Sequence, residues 1–484
     1  MQFEDNTQNL SFRILTIKIF GFILLTILGV RLYDLQIRKY EYYVEKARNQ
    51  QIRRLIIPAT RGTIFDRNGK ILVDSHPTYN IVIANETLKK IATDERINAY
   101  ANGLGLDNKF VSERIEFLKK QPNFEVMVLK ENITSQDIAW VESHEIEFPE
   151  LRIEIQPQRN YVLKKTLAHV LGYVGEISPT QLKKPEYQGF HPGDVIGKGG
   201  IEQYYDQYLR GIDGYREVVV DSRGHVQSEI KTVPPQSGQD LYTTIDLDLQ
   251  NTAETQLANS STKRGTIIAL DPNNGEILAM ASAPSFDPNS FVNRSATAEG
   301  RKEISGYYTD EQHPLLNRAI QGRYPPGSTW KIPESVAALQ QGAITVKDSR
   351  IVCGGGIQVG NRFTRDTSGN HGTPDLPAAI THSCDGYYYR LALKMKIEGL
   401  IKMVEMFEYD KLTGIDLPNE KVSHSPKFWM SSVIKNEGKW SDIRTVFASI
   451  GQDTVQVTPL SMIRAIASVG ARGKMYVPHL LKEV

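Results

Sequence analysis

The sequence predicts an α+β chain in which an apolar N-terminal span precedes a β-rich module and a larger mixed domain. Three observations predict this. Residues Ile14 to Leu35 form an almost uninterrupted apolar run. Two β-rich runs flank Asp66-Arg67-Asn68-Gly69, and Asn-Gly is the favoured two-residue hairpin turn. Beyond a proline-rich boundary, a strand, a helix and a second hairpin lead into a mainly helical region, the pattern of an α+β domain on an antiparallel sheet.

Length and charge bound the rest. At 484 residues the chain holds two or three domains. With 57 basic against 56 acidic residues the net charge is +1, so no bulk charge draws the chain to nucleic acid. The cysteines are Cys353 and Cys384, which excludes a disulfide-dense scaffold and leaves one bridge or two metal ligands.

Taken in order, residues 1–12 form a small head and 13–36 an anchor. The run "ILTIKIFGFILLTILGVRLYDL" has about the ~20 residues a bilayer core requires. Lys18 and Arg31 lie near its ends, where long cationic side chains reach the interface. No small-residue cleavage site follows, so the span reads as a retained anchor. The alternative is a buried core helix. The simplest arrangement puts the head inside and the bulk of the chain outside the membrane.

Residues 37–235 form a membrane-proximal module that begins with a polar stalk, "RKYEYYVEKARNQQIRR". In "IGKGGIEQYYDQYLRGIDG" glycines open and close an amphipathic helix. The Gly-Lys-Ser/Thr ending of a phosphate loop is absent there. "KTVPPQSGQD", Lys231 to Asp240, marks the boundary to a domain over 240–484. That domain opens with "LYTTIDLDLQNTAETQLA" and a hairpin turning at Asn274-Gly275.

The chemistry gathers around "PPGSTWK", Pro325 to Lys331. Ser328 sits at a helix start and Lys331, three residues on, faces the same way. A serine hydroxyl needs an adjacent base, and a helix N-terminus offers N–H groups to an oxyanion. Alone, Ser-x-x-Lys is a common chance pattern. Fifty-five residues later, "THSCDGYYY" places Ser383 and Asp385 at the start of another helical pattern. A serine with lysine at i+3 followed by a Ser-x-Asn variant is the motif pair of penicillin-binding proteins and serine β-lactamases.

On these motifs the chain resembles the class B penicillin-binding proteins of the elongation type, the penicillin-binding protein 2 family. The resemblance also runs through "RGTIFDRNGKILV", "AHVLGYVGEIS", "GKGGIEQYYDQYLRG", "TTIDLDLQ", "GTIIALDPNNGEILAMASAPSFDPN" and "SIGQDTVQVTPLSMIRAIASVGARGKMYVPHLL". It implies an elongated, dimerisation-type pedestal module and a transpeptidase domain with helices on both sides of an antiparallel sheet. It makes Ser328 the acylated nucleophile and Lys331 its general base. Ser383 would relay a proton to the leaving amine, and Asp385 would position substrate and Lys331. The general family form has asparagine where Asp385 stands, and the elongation subgroup carries aspartate. Asp453 stands where such proteins often have glycine. Neither Lys-Thr-Gly nor Lys-Ser-Gly, the third motif, occurs in the 484 residues. In the family it lies tens of residues beyond "ARGKMYVPHLL", on the far wall of the active site. The expectation is a transpeptidase domain without its C-terminal strands, in an incomplete chain or a non-catalytic one.

Cys353, Asp366, His371 and Cys384 are metal-type ligands lying between and beside these motifs. Two thiolates, an imidazole and a carboxylate suit tetrahedral zinc. Some family members are similar in holding zinc beside the Ser-x-Asp motif. Such an ion would be structural, with none needed for the chemistry. A Cys353–Cys384 disulfide and two unrelated buried cysteines stay open. His169 and His191 belong to no ligand set and read as structural.

The resemblance implies a single-pass protein of the bacterial inner membrane, its bulk in the periplasm. Its activity would be peptidoglycan D,D-transpeptidation, cross-linking stem peptides that end in D-Ala-D-Ala during elongation. β-Lactams would acylate the same serine, and a polytopic glycan polymerase would be its partner. The alternatives are a D,D-carboxypeptidase, in which water resolves the acyl-enzyme, and a catalytically incomplete scaffold that activates the polymerase.

Overall fold

The structure is a computed structural model that describes residues 7–41, 52–85, 88, 94–120, 126–191, 193–220, 226–293 and 298–484. Residues 42–51 of the expected polar stalk and residues 1–6 of the expected head lie outside the described residues. The chain divides into two compact units, one of residues Met1–Pro58 and Ile212–Gln236, the other of Ala59–Gly211 and Ser237–Val484.

In the first unit the apolar run is a helix, Thr7–Tyr33, continued by a π-helical turn Asp34–Arg38. The candidate span, Ile14–Arg38, covers 25 residues, and no residue of its apolar window is buried within the protein. At ~1.5 Å per residue this exceeds the ~30 Å hydrocarbon core of a bilayer. The core-helix alternative predicts burial, which this helix lacks. Arg31, Arg38 and Lys39 gather on Asp34 at 3.2, 3.5 and 3.2 Å, a cationic collar at the C-terminal end, where the helix dipole favours positive charge. The same unit holds a three-stranded antiparallel sheet in which Gly214–Val220 lies between Ile52–Ile57 and Val226–Val233. Strands more than 150 residues apart pair here, which no local pattern announces.

The second unit is built on a mixed sheet. Its centre is the long strand Ile71–Ala84, paired antiparallel with Leu151–Tyr161 from Val73 opposite Tyr161 to Ile83 opposite Leu151. Ile64–Phe65 joins it through the expected hairpin. There Asp66 Oδ1 accepts from the N–H groups of Asn68 and Lys70, both at 2.8 Å. Leu241–Thr243 adds in parallel and Leu481–Glu483 beyond it. Helices Asp94–Leu104, Asn108–Lys119 and Ser135–Ser143 close one core over Ile81 and Ile83. A second core joins Ile64, Leu72 and Tyr161 to Leu241, Ile277, Ile320 and Leu460. Segments read from sequence as separate domains therefore share one apolar interior.

The glycine-opened segment is two short helices, Gly200–Tyr204 and Asp206–Leu209, broken at Tyr205. Glu202, on the first of them, is fully buried and meets Arg61 at 2.6 Å and Arg159 at 2.7 Å. His169 is nine-tenths buried and structural, with Nε2 2.7 Å from the Pro314 carbonyl.

The larger mixed domain begins as expected. Helix Leu247–Asn259 is N-capped by Asp246 and clasps the hairpin Gly265–Leu270 with Ile277–Ala283. Gln250 fixes it there, accepting from the Met280 N–H at 2.8 Å and donating to the Met280 carbonyl at 3.2 Å. Helices Lys331–Gln340, Asp385–Met406, Asp442–Ser449 and Pro459–Gly470 follow.

Burial opposes ionisation of Glu202, but Arg159 and Arg61 outweigh it and hold the carboxyl below its usual range. A lowered folded-state value means stability that is present above about pH 4.5 and lost as pH falls. Glu202→Gln is expected to cost about 3–5 kcal/mol, because two buried guanidinium groups lose their counter-charge. Urea unfolding at neutral pH measures the loss, and repetition at acid pH should show it shrinking.

Candidate active site

Ser328 lies on a 3-10 turn, Gly327–Trp330, that runs into helix Lys331–Gln340. Lys331 is the first residue of that helix, directly after the turn that carries Ser328. Trp330 anchors the turn, fully buried against Tyr409 with ring centroids 4.7 Å apart. Ser328 is exposed, whereas Lys331 is 2% exposed.

The segment "SIGQDTVQVTP" presses on the same turn. The Gly327 N–H donates to the Gly451 carbonyl at 3.2 Å. A Cβ on Gly451, whose φ is +67°, would lie 2.5 Å from the Gly327 oxygen, so only glycine fits. Asp453 has φ +55°, which explains why glycine suits its position. Aspartate tolerates this left-handed region better than most residues, and here its carboxylate also pairs with Arg444 at 3.1 Å.

Ser383 precedes helix Asp385–Met406 and is itself left-handed, at φ +51°. Such strain at a non-glycine residue persists only where surrounding contacts over-determine it. Here they do. Lys331 Nζ donates to the Ser383 carbonyl at 2.7 Å, to Ser383 Oγ at 3.1 Å and to Asp385 Oδ1 at 2.6 Å. Ser383 Oγ in turn donates to Ser328 Oγ at 2.8 Å. The four residues singled out from sequence thus form one hydrogen-bonded chain. No direct Ser328–Lys331 hydrogen bond appears among the described residues, and Ser383 stands between them. The other oxygen of Asp385 accepts from Thr367 Oγ1 at 2.6 Å and Thr367 N at 3.1 Å.

The four metal-type residues also converge. One ligand atom from each of Cys353, Asp366, His371 and Cys384 lies within 4.8 Å of the others, with both sulfurs and Asp366 buried. Both cysteines are free thiols, so the disulfide alternative is not the arrangement seen. Cys353 Sγ donates to Asp366 Oδ2 at 3.2 Å and lies 3.7 Å from His371 Nδ1. Zinc with sulfur at ~2.3 Å and nitrogen at ~2.0 Å needs donors roughly 3.5–3.8 Å apart, so small side-chain adjustments bring all four into range. Burial opposes ionisation of Asp366, yet N–H donors from Gly386 and Ser368 hold it below the usual carboxylate range. The backbone is tightly seated there as well, since a Cβ on Gly386 would lie 2.3 Å from the Cys353 carbonyl oxygen.

This geometry has known counterparts. The domain family described as "Penicillin-binding Protein dimerisation domain" matches residues 56–243, and "Penicillin binding protein transpeptidase domain" matches 265–484. The peptidoglycan D,D-transpeptidase MrdA of Acinetobacter baumannii is 34% identical over 95% of this chain and 67% of its own. The chain belongs to the penicillin-binding protein 2 family. Among solved structures, a complex between PBP2 and MreC from Helicobacter pylori superposes with a TM-score of 0.75 at 26% identity, covering 89% of this chain and 79% of that one. A structure described as "Structural coordination of polymerization and crosslinking by a peptidoglycan synthase complex" matches at a TM-score of 0.65 and 30% identity, over 97% and 79% of the two chains. The chain spans about two thirds of the MrdA relative's length. The family fold of dimerisation module and transpeptidase domain is the α+β architecture expected from the sequence.

Sequence reasoning missed Glu334. It lies one turn beyond Lys331, fully buried, and neither carboxylate oxygen has a hydrogen-bond partner among the described residues. Its spacing from Trp330, Ala337 and Ala338 puts it in the apolar stripe of the helix, a legible pattern. Burial pushes this carboxyl well above its usual range, against the pull of Lys331. A raised folded-state value means stability that is lost as pH climbs past the unfolded value of ~4.3. Glu334→Leu is expected to stabilise the fold by about 1–3 kcal/mol and to flatten the fall in stability as pH rises above about 4.3. Denaturant midpoints across that range measure both effects.

Proposed function

We propose that this protein is a peptidoglycan D,D-transpeptidase that works through an acyl-enzyme on Ser328. The observation that carries the reading is the unbroken chain Ser328–Ser383–Lys331–Asp385 beneath an exposed serine hydroxyl. Once the ion-paired ammonium of Lys331 has given up one proton, Ser328 Oγ attacks the carbonyl of the penultimate D-Ala and its proton passes through Ser383 Oγ to Lys331 Nζ. The Gly327 N–H is held by the Gly451 carbonyl, so the Ser328 N–H at the start of the serine turn is the donor offered to the developing oxyanion. As the C–N bond breaks, the same chain returns the proton to the departing D-Ala amine. An amine from a neighbouring stem peptide then attacks the Ser328 ester and forms the cross-link, and the serine recovers its proton. A β-lactam opened by Ser328 would leave an ester of the same kind.

Three features support the placement of this chemistry. The exposed apolar helix over Ile14–Arg38 suits a single-pass anchor, with the small head on the cytoplasmic side and the enzyme in the periplasm. The similarity to a peptidoglycan synthase complex and to a PBP2–MreC complex supports work within an elongation assembly. A membrane glycan polymerase is the partner that such coupling requires. Cys353, Asp366, His371 and Cys384 would hold a zinc ion. When bound it supplies cross-bracing, tying the 353–371 segment to the start of the Ser383–Asp385 helix, with no part in proton transfer.

Incubation with a fluorescent penicillin, followed by digestion and mass spectrometry, should place one adduct on the Ser328 peptide. Ser328→Ala should label at background, a loss on the order of a thousandfold or more. An intact protein without adduct, or label on another residue, would sink the reading. For the metal, elemental analysis should find one zinc per chain, and a strong chelator should lower the melting temperature. Protein with neither zinc nor titratable thiols would mean the disulfide instead.

A further inference from the structure

We propose that Thr367 is a positioning residue for the acylation site, its hydroxyl setting the plane of the Asp385 carboxylate that holds Lys331. The inference rests on the reading of Ser328 as the acylated nucleophile.

Asp385 is 4% exposed and divides its two oxygens between two partners. Oδ1 takes Lys331 Nζ at 2.6 Å. Oδ2 takes the Thr367 hydroxyl at 2.6 Å and the Thr367 N–H at 3.1 Å. The terminal torsion of an aspartate joins sp³ and sp² carbons and is intrinsically broad, so hydrogen bonds at both oxygens are what fix its plane. A charge-assisted O–H donor at this distance is the stronger of the two on Oδ2. With the hydroxyl gone, the carboxylate could rotate about its remaining N–H contact. Lys331 would follow it, because its ammonium spends one donor on Oδ1 and the others on Ser383. The Ser383 bridge to Ser328 would lose its alignment in turn.

The loop around Thr367 is built to hold this contact. Asp366 Oδ2 accepts from the Gly386 N–H at 2.8 Å and its Oδ1 from the Ser368 N–H at 2.8 Å. Ser368 Oγ donates to the Ser383 carbonyl at 3.3 Å. Successive residues 366, 367 and 368 thus each bond to the segment 383–386. Thr367 itself is exposed, so it stands between the buried carboxylate and solvent, and a substitution there opens no cavity in the core.

Penicillin acylation of wild type, Thr367→Ser, Thr367→Val and Thr367→Ala separates positioning from packing. The limiting acylation rate should follow the hydroxyl rather than the methyl group. Serine should stay within about threefold of wild type, while valine and alanine fall on the order of tenfold or more. The reversible dissociation constant should change less than about threefold throughout, the sign of an interaction lost in the transition state. Valine acylating like wild type, serine as slow as valine, or a loss carried wholly by reversible binding would each overturn the proposal while leaving Ser328 as the nucleophile. Wild-type protein with no adduct on Ser328 would remove the reading beneath it, and the proposal with it.

Discussion

The site depends on one buried ion pair. Lys331 and Asp385 meet at 2.6 Å with side chains 3% and 5% exposed. Taking two charges out of water costs several kcal/mol each, and their attraction repays it only when the remaining donors and acceptors are satisfied. Here they are. Lys331 spends its three protons on Asp385 Oδ1, Ser383 Oγ and the Ser383 carbonyl. Drawing that carbonyl inward accompanies the left-handed backbone of Ser383, and the same geometry aims the Ser383 hydroxyl at Ser328. The strain and the alignment have one cause.

Neighbouring segments keep this pair from relaxing. Gly451 abuts the serine turn from one side. The 366–368 loop ties down Asp385 and the helix start from another. The thiol, imidazole and carboxylate cluster lies within the same stretch of chain, with Cys384 directly between Ser383 and Asp385. Its natural contribution is rigidity, since catalysis by pre-placed groups loses heavily for small displacements.

What was legible in sequence was local or repeated by motif. The Asn68-Gly69 and Asn274-Gly275 hairpins and the serine turn each rest on a few adjacent residues whose conformational preferences agree. Ser383 and Asp385 could be named because their motif partners Ser-x-x-Lys. Thr367 and Glu334 could not be assigned that way, since one acts through a loop folded back across the site and the other through what surrounds it. The Arg61–Glu202–Arg159 cluster and the pairing of Ile52–Ile57 with Gly214–Val220 join residues roughly 40 to 170 positions apart, and no short window along the chain contains both partners.

By itself the sequence determined the α+β class, the apolar span and the hairpins, and it supplied the candidate nucleophile, base and metal ligands. These follow from side-chain chemistry and short-range backbone preference. Tertiary structure alone decided that Ser383 stands between Ser328 and Lys331, that Glu334 is buried without a partner, and that Thr367 completes the shell of Asp385. Hydrogen bonding at 3 Å and the loss of water depend on segments brought together across tens of residues. Spacing along a chain sets which groups are present, and packing sets which of them touch.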